Sequence, residues 1–238
     1  MSYVKQNFTN FGDPLTAEQL IKMEDAIVSK WYGKKISVLG DSILYGVGLD
    51  DRVKQNITTH LANWTGANVT NYGISGTKVS GSASNSFWNR FPSVSKDADL
   101  TIVFGGTNDY WHKGTAVGDV DSTDTNTFSG AVNNIIDYHC NNNGTAELLF
   151  VFPFSQAYQG TSCDTDYGYG PFSGFRDAMK AICAKRGVPF LDLYAEGGMD
   201  VANNTTHKSL FTTDGVHAKP AGHLRVAQRM FSKIEYGM

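Results

Sequence analysis

Cysteine is scarce in this chain, and long hydrophobic runs are absent from it. Three cysteines occur among 238 residues. Cys140, Cys163 and Cys183 cannot all pair within one chain and lack the spacing of a metal site, which favours free thiols in a reducing compartment. No apolar run is long enough to cross a bilayer, so we expect no membrane partner. The amino terminus also lacks the apolar core of a signal peptide, which predicts a cytoplasmic protein or one released without such a signal.

Strong charge of either sign is also missing. The formal net charge is −3, and lysines and arginines do not cluster, so we expect no nucleic-acid partner. Neither a P-loop nor a dinucleotide fingerprint occurs. His223 lies six residues after His217, beyond one helical turn, so a zinc site that includes Asp214 is not favoured. We therefore expect neither a metal nor another cofactor.

What the chain does contain is a regular alternation of short apolar segments with helical patterns. The first segment runs from Lys35 to Ser42 and stops abruptly at Gly40-Asp41-Ser42. Further strands are predicted at 68–74, 100–104, 147–152 and 188–193, and helices at 51–64, 87–88, 128–139, 172–186 and from Pro220 onward. This alternation predicts an α/β fold with a parallel sheet between two layers of helices. Residues 155–170 show no periodicity and predict a long loop that forms a lid or a binding wall.

Residues 1–33 precede the first strand and form a predicted amino-terminal extension with one helix, ahead of a main domain at 34–238. A capping box at 16–19 is followed by an apolar stripe at helical spacing, formed by Leu20, Met23, Ile27 and Trp31. Such a stripe predicts packing against the main domain. Residues 7–27 also resemble a segment of phage tail and baseplate proteins, which implies a virion or prophage context. That resemblance leaves open a homo-oligomer assembled through the helix.

Four short polar signals follow predicted strands or the last loop. They contain Ser42, Gly73, Asn108 and the pair Asp214 and His217. Because the carboxyl ends of parallel strands meet at one edge of a sheet, the first three should lie close together. Acyl transfer needs a nucleophile, a base, a group that orients the base, and donors for an oxyanion. Ser42, His217 and Asp214 fit the first three roles, and the backbone N–H groups of Ser42 and Gly73 with the Asn108 side chain fit the fourth.

These blocks resemble the SGNH or GDSL-type hydrolases, which are esterases and acylhydrolases named for a serine, a glycine, an asparagine and a histidine. The resemblance spans about residues 34–236 and assigns those four roles to the same residues. It implies a three-layer α/β/α sandwich with a flavodoxin-like, five-stranded parallel sheet and no metal. The first block reads Gly-Asp-Ser-Ile where the family has leucine after serine. The Gly-x-Ser-x-Gly elbow of another class, the α/β-hydrolases, does not occur.

The predicted loops contain many aromatic residues that suit either packing or substrate contact. Candidate substrate contacts are Asp41, Trp88, Tyr110, Trp111 and Tyr158. Polar and aromatic loops without a long apolar lid favour a short acyl group, such as acetyl, on a small-molecule or polysaccharide ester. Two alternatives stay open: a non-catalytic carbohydrate-binding module of a phage-type appendage, and a lipase or thioesterase of the same family.

Overall fold

The central feature of the fold is a five-stranded sheet in which all strands are parallel. The computed structural model describes residues 28–238. The sheet has the order β2-β1-β3-β4-β7. Its strands are β1 (Lys35–Gly40), β2 (Asn68–Gly73), β3 (Leu100–Phe104), β4 (Glu147–Phe152) and β7 (Phe190–Asp192). The predicted α/β fold with a five-stranded parallel sheet is confirmed.

Helices cover both faces of this sheet. They are α1 (Ser42–Tyr45), α2 (Arg52–Gln55), α3 (Ile57–Thr65), α4 (Phe87–Ser95), α5 (Thr107–Trp111), α6 (Phe128–Asn142), α7 (Phe172–Arg186), α8 (Leu193–Glu196), α9 (Thr205–Phe211) and α10 (Pro220–Tyr236). Side chains alternate between the two faces of a strand, so each buried strand contributes to two cores. In β1, Ile36 and Val38 join the core beneath α3 and α10, whereas Leu39 joins the core beneath α4, α6 and α7. The sheet is therefore the middle of three layers.

The register of the sheet aligns the ends of its three central strands. Gly40 at the end of β1 pairs with Gly73 at the end of β2 and with Phe104 at the end of β3. The segments that follow these strands therefore leave the sheet at one edge. In parallel α/β sheets this edge is where ligands bind.

The predicted helix at 51–64 is two helices, α2 and α3, separated at Asn56. The Asn56 side chain accepts a hydrogen bond from the Thr58 N–H (3.0 Å) and donates one to the Leu44 carbonyl (2.8 Å). A capping asparagine of this kind starts a new helix rather than continuing the old one. Val53 in α2 is 80% exposed and does not continue the buried face of α3, which contains Ile57 and Leu61.

The predicted loop at 155–170 contains a small antiparallel hairpin, formed by β5 (Ala157–Tyr158) and β6 (Thr161–Ser162). The prediction of a segment without regular structure was wrong at this point. Another part of this loop contacts α5: the Tyr110 hydroxyl donates a hydrogen bond to the carbonyl of Thr165 (2.7 Å).

The predicted amino-terminal helix and its capping box fall largely outside the described residues. Of the apolar stripe, Trp31 is described: its side chain is buried, and its indole N–H donates to the carbonyl of Ile234 in α10 (3.0 Å). The division between 1–33 and 34–238 stays a prediction. Among residues 28–238, every helix is too short or too polar to span a bilayer.

Candidate active site

Ser42 is the first residue of α1, and Asp41 alone separates it from the end of β1. The side chain of Asp41 accepts a hydrogen bond from the Ile43 N–H (2.9 Å) and so caps this short helix. Gly46 ends the helix with a φ of +92°, in the left-handed region that glycine adopts without strain. The strand, the cap and the glycine together place the Ser42 hydroxyl at the carboxyl edge of the sheet.

Asp214 and His217 occupy one tight turn that faces Ser42. One carboxylate oxygen of Asp214 accepts hydrogen bonds from the backbone N–H groups of Val216 (2.9 Å) and His217 (2.8 Å). The other carboxylate oxygen lies 2.7 Å from His217 Nδ1, and His217 Nε2 lies 3.0 Å from Ser42 Oγ. The structure thus joins Ser42, His217 and Asp214 in one continuous chain of hydrogen bonds.

The electrostatics of Asp214 determine which nitrogen of His217 carries the proton. Partial burial opposes ionisation of Asp214, but the hydrogen bonds from the His217 and Val216 N–H groups and from the His217 ring outweigh it, so its pKa is lowered. An ionised carboxylate can only accept hydrogen bonds, so His217 Nδ1 is the donor. The neutral ring then presents Nε2 as an acceptor to the Ser42 hydroxyl, as a general base requires.

Gly215 packs closely against the hairpin formed by β5 and β6. The Ala157 N–H donates to the Gly215 carbonyl (3.0 Å), and a Cβ atom on Gly215 would lie 1.7 Å from the Ala157 carbonyl oxygen. The φ of Gly215 is +95°. A glycine is therefore required here both by space and by backbone conformation.

Asn108 reaches the same place from the segment that follows β3. It is the second residue of α5, and one N–H of its side-chain amide donates to the Thr77 carbonyl (2.9 Å). That bond fixes the orientation of the amide. Asn108 lines the same cleft as Ser42 and His217, as the spacing of the sequence motifs predicts.

Gly73 does not take the position that the sequence predicts for it. Its N–H donates to the side chain of Asn71 (2.8 Å), and a Cβ atom on it would lie 2.4 Å from the Tyr45 nitrogen. The absence of a side chain at Gly73 therefore serves close packing of β2 against α1, and Gly73 is not among the residues that line the cleft. The oxyanion role predicted for Gly73 is corrected on this ground.

The backbone that lines the cleft on this side belongs to Ser75 and Gly76 instead. Gly76 has a φ of +77°, and a Cβ atom there would have no atom within 4 Å. Within residues 28–238, no backbone atom accepts a hydrogen bond from the Gly76 N–H. The sequence did contain a signal for this position: Ser75-Gly76 follows the strand by a few residues, beyond the glycine that ends it.

The cleft has a volume of about 320 Å³. It is lined by Ser42, Ser75, Gly76, Thr107, Asn108, Trp111, His112, Tyr158, Val216 and His217. Two of the predicted aromatic contacts, Trp111 and Tyr158, lie here. Ser75, Gly76, Thr107, His112 and Val216 were not predicted.

The other three predicted contacts lie elsewhere and stabilise the surrounding structure. Trp88 donates its indole N–H to the Gly81 carbonyl (2.7 Å), and the side chain of Tyr110 is buried against the loop after β4. Asp41 is buried beneath the turn that carries Ser42. Asp41, Trp88 and Tyr110 thus lie outside the lining of the cleft, and their prediction as substrate contacts is corrected.

Two buried carboxyl groups lie near the turn that carries Ser42. Burial raises the pKa of Asp41 to about 7; the neighbouring Asp109 adds to this effect and Arg90 opposes it. Burial also raises the pKa of Asp109, although its carboxylate accepts hydrogen bonds from the N–H groups of Val79 (2.8 Å) and Ser80 (3.0 Å). Asp109 therefore organises the segment after β2, whereas one oxygen of Asp41 has no hydrogen-bond partner among the described residues.

Within the part of the chain that is described, no group of three or more His, Cys, Asp or Glu side chains is arranged to hold a metal ion. His223, which the sequence places near Asp214, is fully buried in α10. Both carboxylate oxygens of Asp214 accept hydrogen bonds from its own turn.

Comparison with known families agrees with this site. The sequence model of the GDSL-like Lipase/Acylhydrolase family matches residues 38–225, which is most of the chain. The matched region contains Ser42, Asn108, Asp214 and His217. The chain therefore belongs to the GDSL-like lipase and acylhydrolase family, as the sequence motifs predict.

Solved structures support the same fold. A protein from Lactobacillus plantarum is 26% identical, with a TM-score of 0.77 over 87% of this chain and 98% of its own. A possible lipase from Chitinophaga pinensis is 19% identical, with a TM-score of 0.66 over 86% and 99%. A carbohydrate acetylesterase family member from Sinorhizobium meliloti is 17% identical, with a TM-score of 0.62 over 86% and 100%. The last two share the fold with this chain at low identity. No curated protein sequence matches this chain.

The resemblance of residues 7–27 to phage tail and baseplate proteins gains no support from these comparisons. The family match begins at residue 38, after that segment. Residues 7–27 also lie outside the described part of the chain.

Proposed function

We propose that the protein is a serine esterase that hydrolyses short-acyl esters, with Ser42 as nucleophile, His217 as base and Asp214 as the group that orients the base. The observation that carries this proposal is the unbroken chain from Asp214 through His217 to Ser42, with links of 2.7 Å and 3.0 Å. Both the base and the nucleophile open onto one cleft. A non-catalytic binding module has no use for this arrangement.

The reaction follows from the positions of these three groups. His217 Nε2 takes the Ser42 hydroxyl proton as Oγ bonds to the ester carbonyl carbon. The tetrahedral intermediate collapses, the protonated His217 gives its proton to the leaving alkoxide, and an acyl-serine remains. Water then loses a proton to His217 and attacks the acyl carbon, and the acid leaves as Ser42 regains its proton.

The oxyanion of both intermediates needs fixed hydrogen-bond donors. The proposal assigns this role to the backbone N–H groups of Ser42 and Gly76 and to the side-chain amide of Asn108. All three residues line the cleft, and one N–H of the Asn108 amide is already held by Thr77. The Gly73 N–H is engaged by Asn71, which is why Gly76 replaces it in this proposal.

The substrate class proposed is an acetyl ester of a carbohydrate. A cleft of about 320 Å³ is at the small end of ligand sites and fits a short acyl group better than a long chain. Its wall contains Trp111 and Tyr158, and aromatic rings offer a flat apolar surface to a sugar ring. The structural relative from Sinorhizobium meliloti is a carbohydrate acetylesterase family member, which is compatible with this class.

The decisive variant for the chemistry is Ser42→Ala. We expect its hydrolysis of p-nitrophenyl acetate to fall by about 1,000-fold or more, because the acyl-enzyme can no longer form. The solvent-facing Ser232→Ala on α10 serves as the matched control and should retain the wild-type rate. Turnover retained in Ser42→Ala would remove Ser42 from the mechanism.

The substrate class is tested with one series of synthetic esters and with one acetylated polysaccharide. p-Nitrophenyl esters of increasing acyl length should show the highest kcat/KM at acetate, and the enzyme should release acetate from an acetylated polysaccharide. Preference for long acyl chains would favour the lipase alternative. Binding of the polysaccharide without Ser42-dependent hydrolysis would favour the non-catalytic binding module.

A further inference from the structure

The cleft that contains Ser42 and His217 has an aromatic wall formed by two side chains in mutual contact. The rings of Trp111 and Tyr158 lie 5.8 Å apart with an angle of 65° between their planes. Trp111 ends α5, and Tyr158 belongs to the hairpin that follows β4. The Trp111 indole is partly buried, whereas Tyr158 is 37% exposed and lies at the open rim.

A buried glutamine directly behind this wall holds the indole in place. The Trp111 indole N–H donates to Oε1 of Gln156 (2.7 Å), and Nε2 of Gln156 donates to the hydroxyl of Thr107 (3.1 Å). Gln156 is completely buried. Thr107 immediately precedes Asn108. The side-chain amide of Gln156 therefore links Trp111 to the residue beside the proposed oxyanion donor.

The backbone around Gln156 is fixed on both sides. Its N–H donates to Sγ of Cys163 (3.2 Å), and its carbonyl accepts from the Cys163 N–H (2.9 Å). The next residue, Ala157, donates its N–H to the carbonyl of Gly215 in the turn between Asp214 and His217. The amide of Gln156 is therefore held in a fixed position relative to the catalytic turn.

The hydrogen-bond partners of the buried Gln156 amide indicate what this side chain does. An amide removed from water costs free energy unless hydrogen bonds replace those it made to water. Here both replacement bonds go to α5, at Trp111 in the cleft lining and at Thr107. An apolar side chain at position 156 would fill the same space but leave the indole N–H of Trp111 without its acceptor.

We propose that Gln156 is a positioning residue that determines selectivity for the alcohol half of the ester, by holding the Trp111 indole beside Tyr158 as a fixed platform for a sugar ring. This inference rests on the proposed function. In the proposed mechanism Ser42 and Asn108 bind the acyl carbonyl inside the cleft. A large alcohol group of the same ester must therefore extend out of the cleft toward solvent. Trp111 and Tyr158 line the same cleft, and Tyr158 is the more exposed of the two.

The test uses Gln156→Met, which preserves length and approximate volume but forms neither hydrogen bond. With an acetylated xylo-oligosaccharide, we expect KM to rise about tenfold while kcat changes little, since the loss falls on binding of the sugar. With ethyl acetate, which has no ring to bind, kcat/KM should fall by a factor at least about fivefold smaller than with the acetylated sugar. Equal losses on both esters, or no loss on either, would overturn the inference.

Two further variants decide the matter if Gln156→Met does not fold. Trp111→Phe keeps a ring but lacks the N–H that donates to Gln156, and Tyr158→Ala removes the side chain of a residue that is 37% exposed. Both should raise KM for the acetylated sugar and reduce the hydrolysis of ethyl acetate by a smaller factor. Tyr169→Ala, an exposed tyrosine of the same loop outside the cleft lining, is the matched control.

A double variant shows whether Gln156 acts through Trp111. If it does, Gln156→Met with Trp111→Phe should be no worse on the acetylated sugar than Trp111→Phe alone. Fully additive losses would overturn this route of action. If Ser42-dependent hydrolysis of ethyl acetate is found but Gln156→Met affects the two esters equally, the proposed function stands and this inference alone is overturned. Absence of Ser42-dependent hydrolysis of either ester would overturn both.

Discussion

Asp41 shows how one buried residue can serve the site without touching the cleft. One of its oxygens caps the helix that begins at Ser42, and the other has no hydrogen-bond partner among the described residues. The nearby Asp109 is also buried. A second ionised carboxylate in this region would be costly, so Asp41 favours its neutral form at pH values below its raised pKa of about 7. A neutral group here also avoids a negative charge beside the proposed oxyanion.

The pKa of Asp41 makes a prediction about stability. Asp41→Asn keeps an oxygen that accepts from the Ile43 N–H but cannot ionise. The pKa of Asp41 is about 7 in the folded protein, against an ordinary value of 3.8 for a solvated aspartate, so the wild type loses stability as pH rises through this window. We expect the variant to gain roughly 2 kcal/mol more over wild type at about pH 8 than near pH 5, as measured by urea unfolding.

The size of that difference discriminates between charge and packing. If the gain of Asp41→Asn over wild type is the same at both pH values, ionisation of Asp41 is not its cause. Asp41→Ala, which also removes the cap on α1, should be less stable than Asp41→Asn at either pH by about 1 kcal/mol.

Among the structural elements, the turn from Asp214 to His217 depends most on its neighbour. It is closed by an isolated bridge between Thr212 and Ala218, and it contacts β5 through the hydrogen bond from Ala157 to Gly215. Gly215 makes that contact possible because a side chain there would enter the Ala157 carbonyl. Correct placement of His217 relative to Ser42 therefore requires the hairpin after β4 as well as the turn.

Gly215→Ala tests this dependence. The new methyl group should push the turn away from the hairpin and lengthen the distance from His217 to Ser42. We expect Ser42-dependent hydrolysis to fall by about 100-fold or more, because misplacement of a catalytic group by about 1 Å has effects of this size. Hydrolysis of p-nitrophenyl acetate and thermal unfolding measure the two consequences.

Gly187→Ala is the matched control for backbone strain. Gly187 also has a positive φ, of +67°, but a Cβ atom there would have no atom within 4 Å. It should lose about 1 kcal/mol of stability and keep its activity. If both glycine variants lose activity to the same extent, close contact at Gly215 is not the reason.

At the scale of the whole molecule, the sheet separates two cores, and the one beneath α3 and α10 encloses an ionisable residue. The side chain of His223 in α10 is fully buried, and neither of its ring nitrogens has a hydrogen-bond partner among the described residues. Burial lowers the pKa of His223 to about 4, and the nearby His60 contributes in the same direction. The folded protein therefore strongly favours the neutral ring.

This burial predicts a loss of stability in acid. The pKa of His223 is lower in the folded protein than the ordinary value of 6.5 for a solvated histidine, so the unfolded chain gains a proton first as pH falls. We expect His223 to cost roughly 3 kcal/mol of stability between about pH 6.5 and pH 4. His223→Leu should lack this contribution in urea unfolding across the same range. Parallel pH dependence in the two proteins would contradict the assignment to His223.

Much of the architecture and part of the site could be predicted from local patterns. The apolar runs of β1, β3 and β4 are buried on both faces, so their composition alone identifies them as central strands. The spacing of Asp214 and His217 fits a single turn, and the polar residues after β1 and β3 had to meet because parallel strands end at the same edge. These inferences succeed because each depends on short-range geometry or on the direction of strands.

Tertiary structure alone decided which residues near the site face the cleft. Tyr110 and Trp111 are neighbours in one short helix, yet Tyr110 is buried against Thr165 and Trp111 lines the cleft. Gly73 is needed for packing, whereas Gly76 opens onto the site. Gln156 contacts Trp111 across 45 positions of sequence. Loop side chains have no periodicity that reports their direction, so it is set by distant partners that only the folded chain brings together.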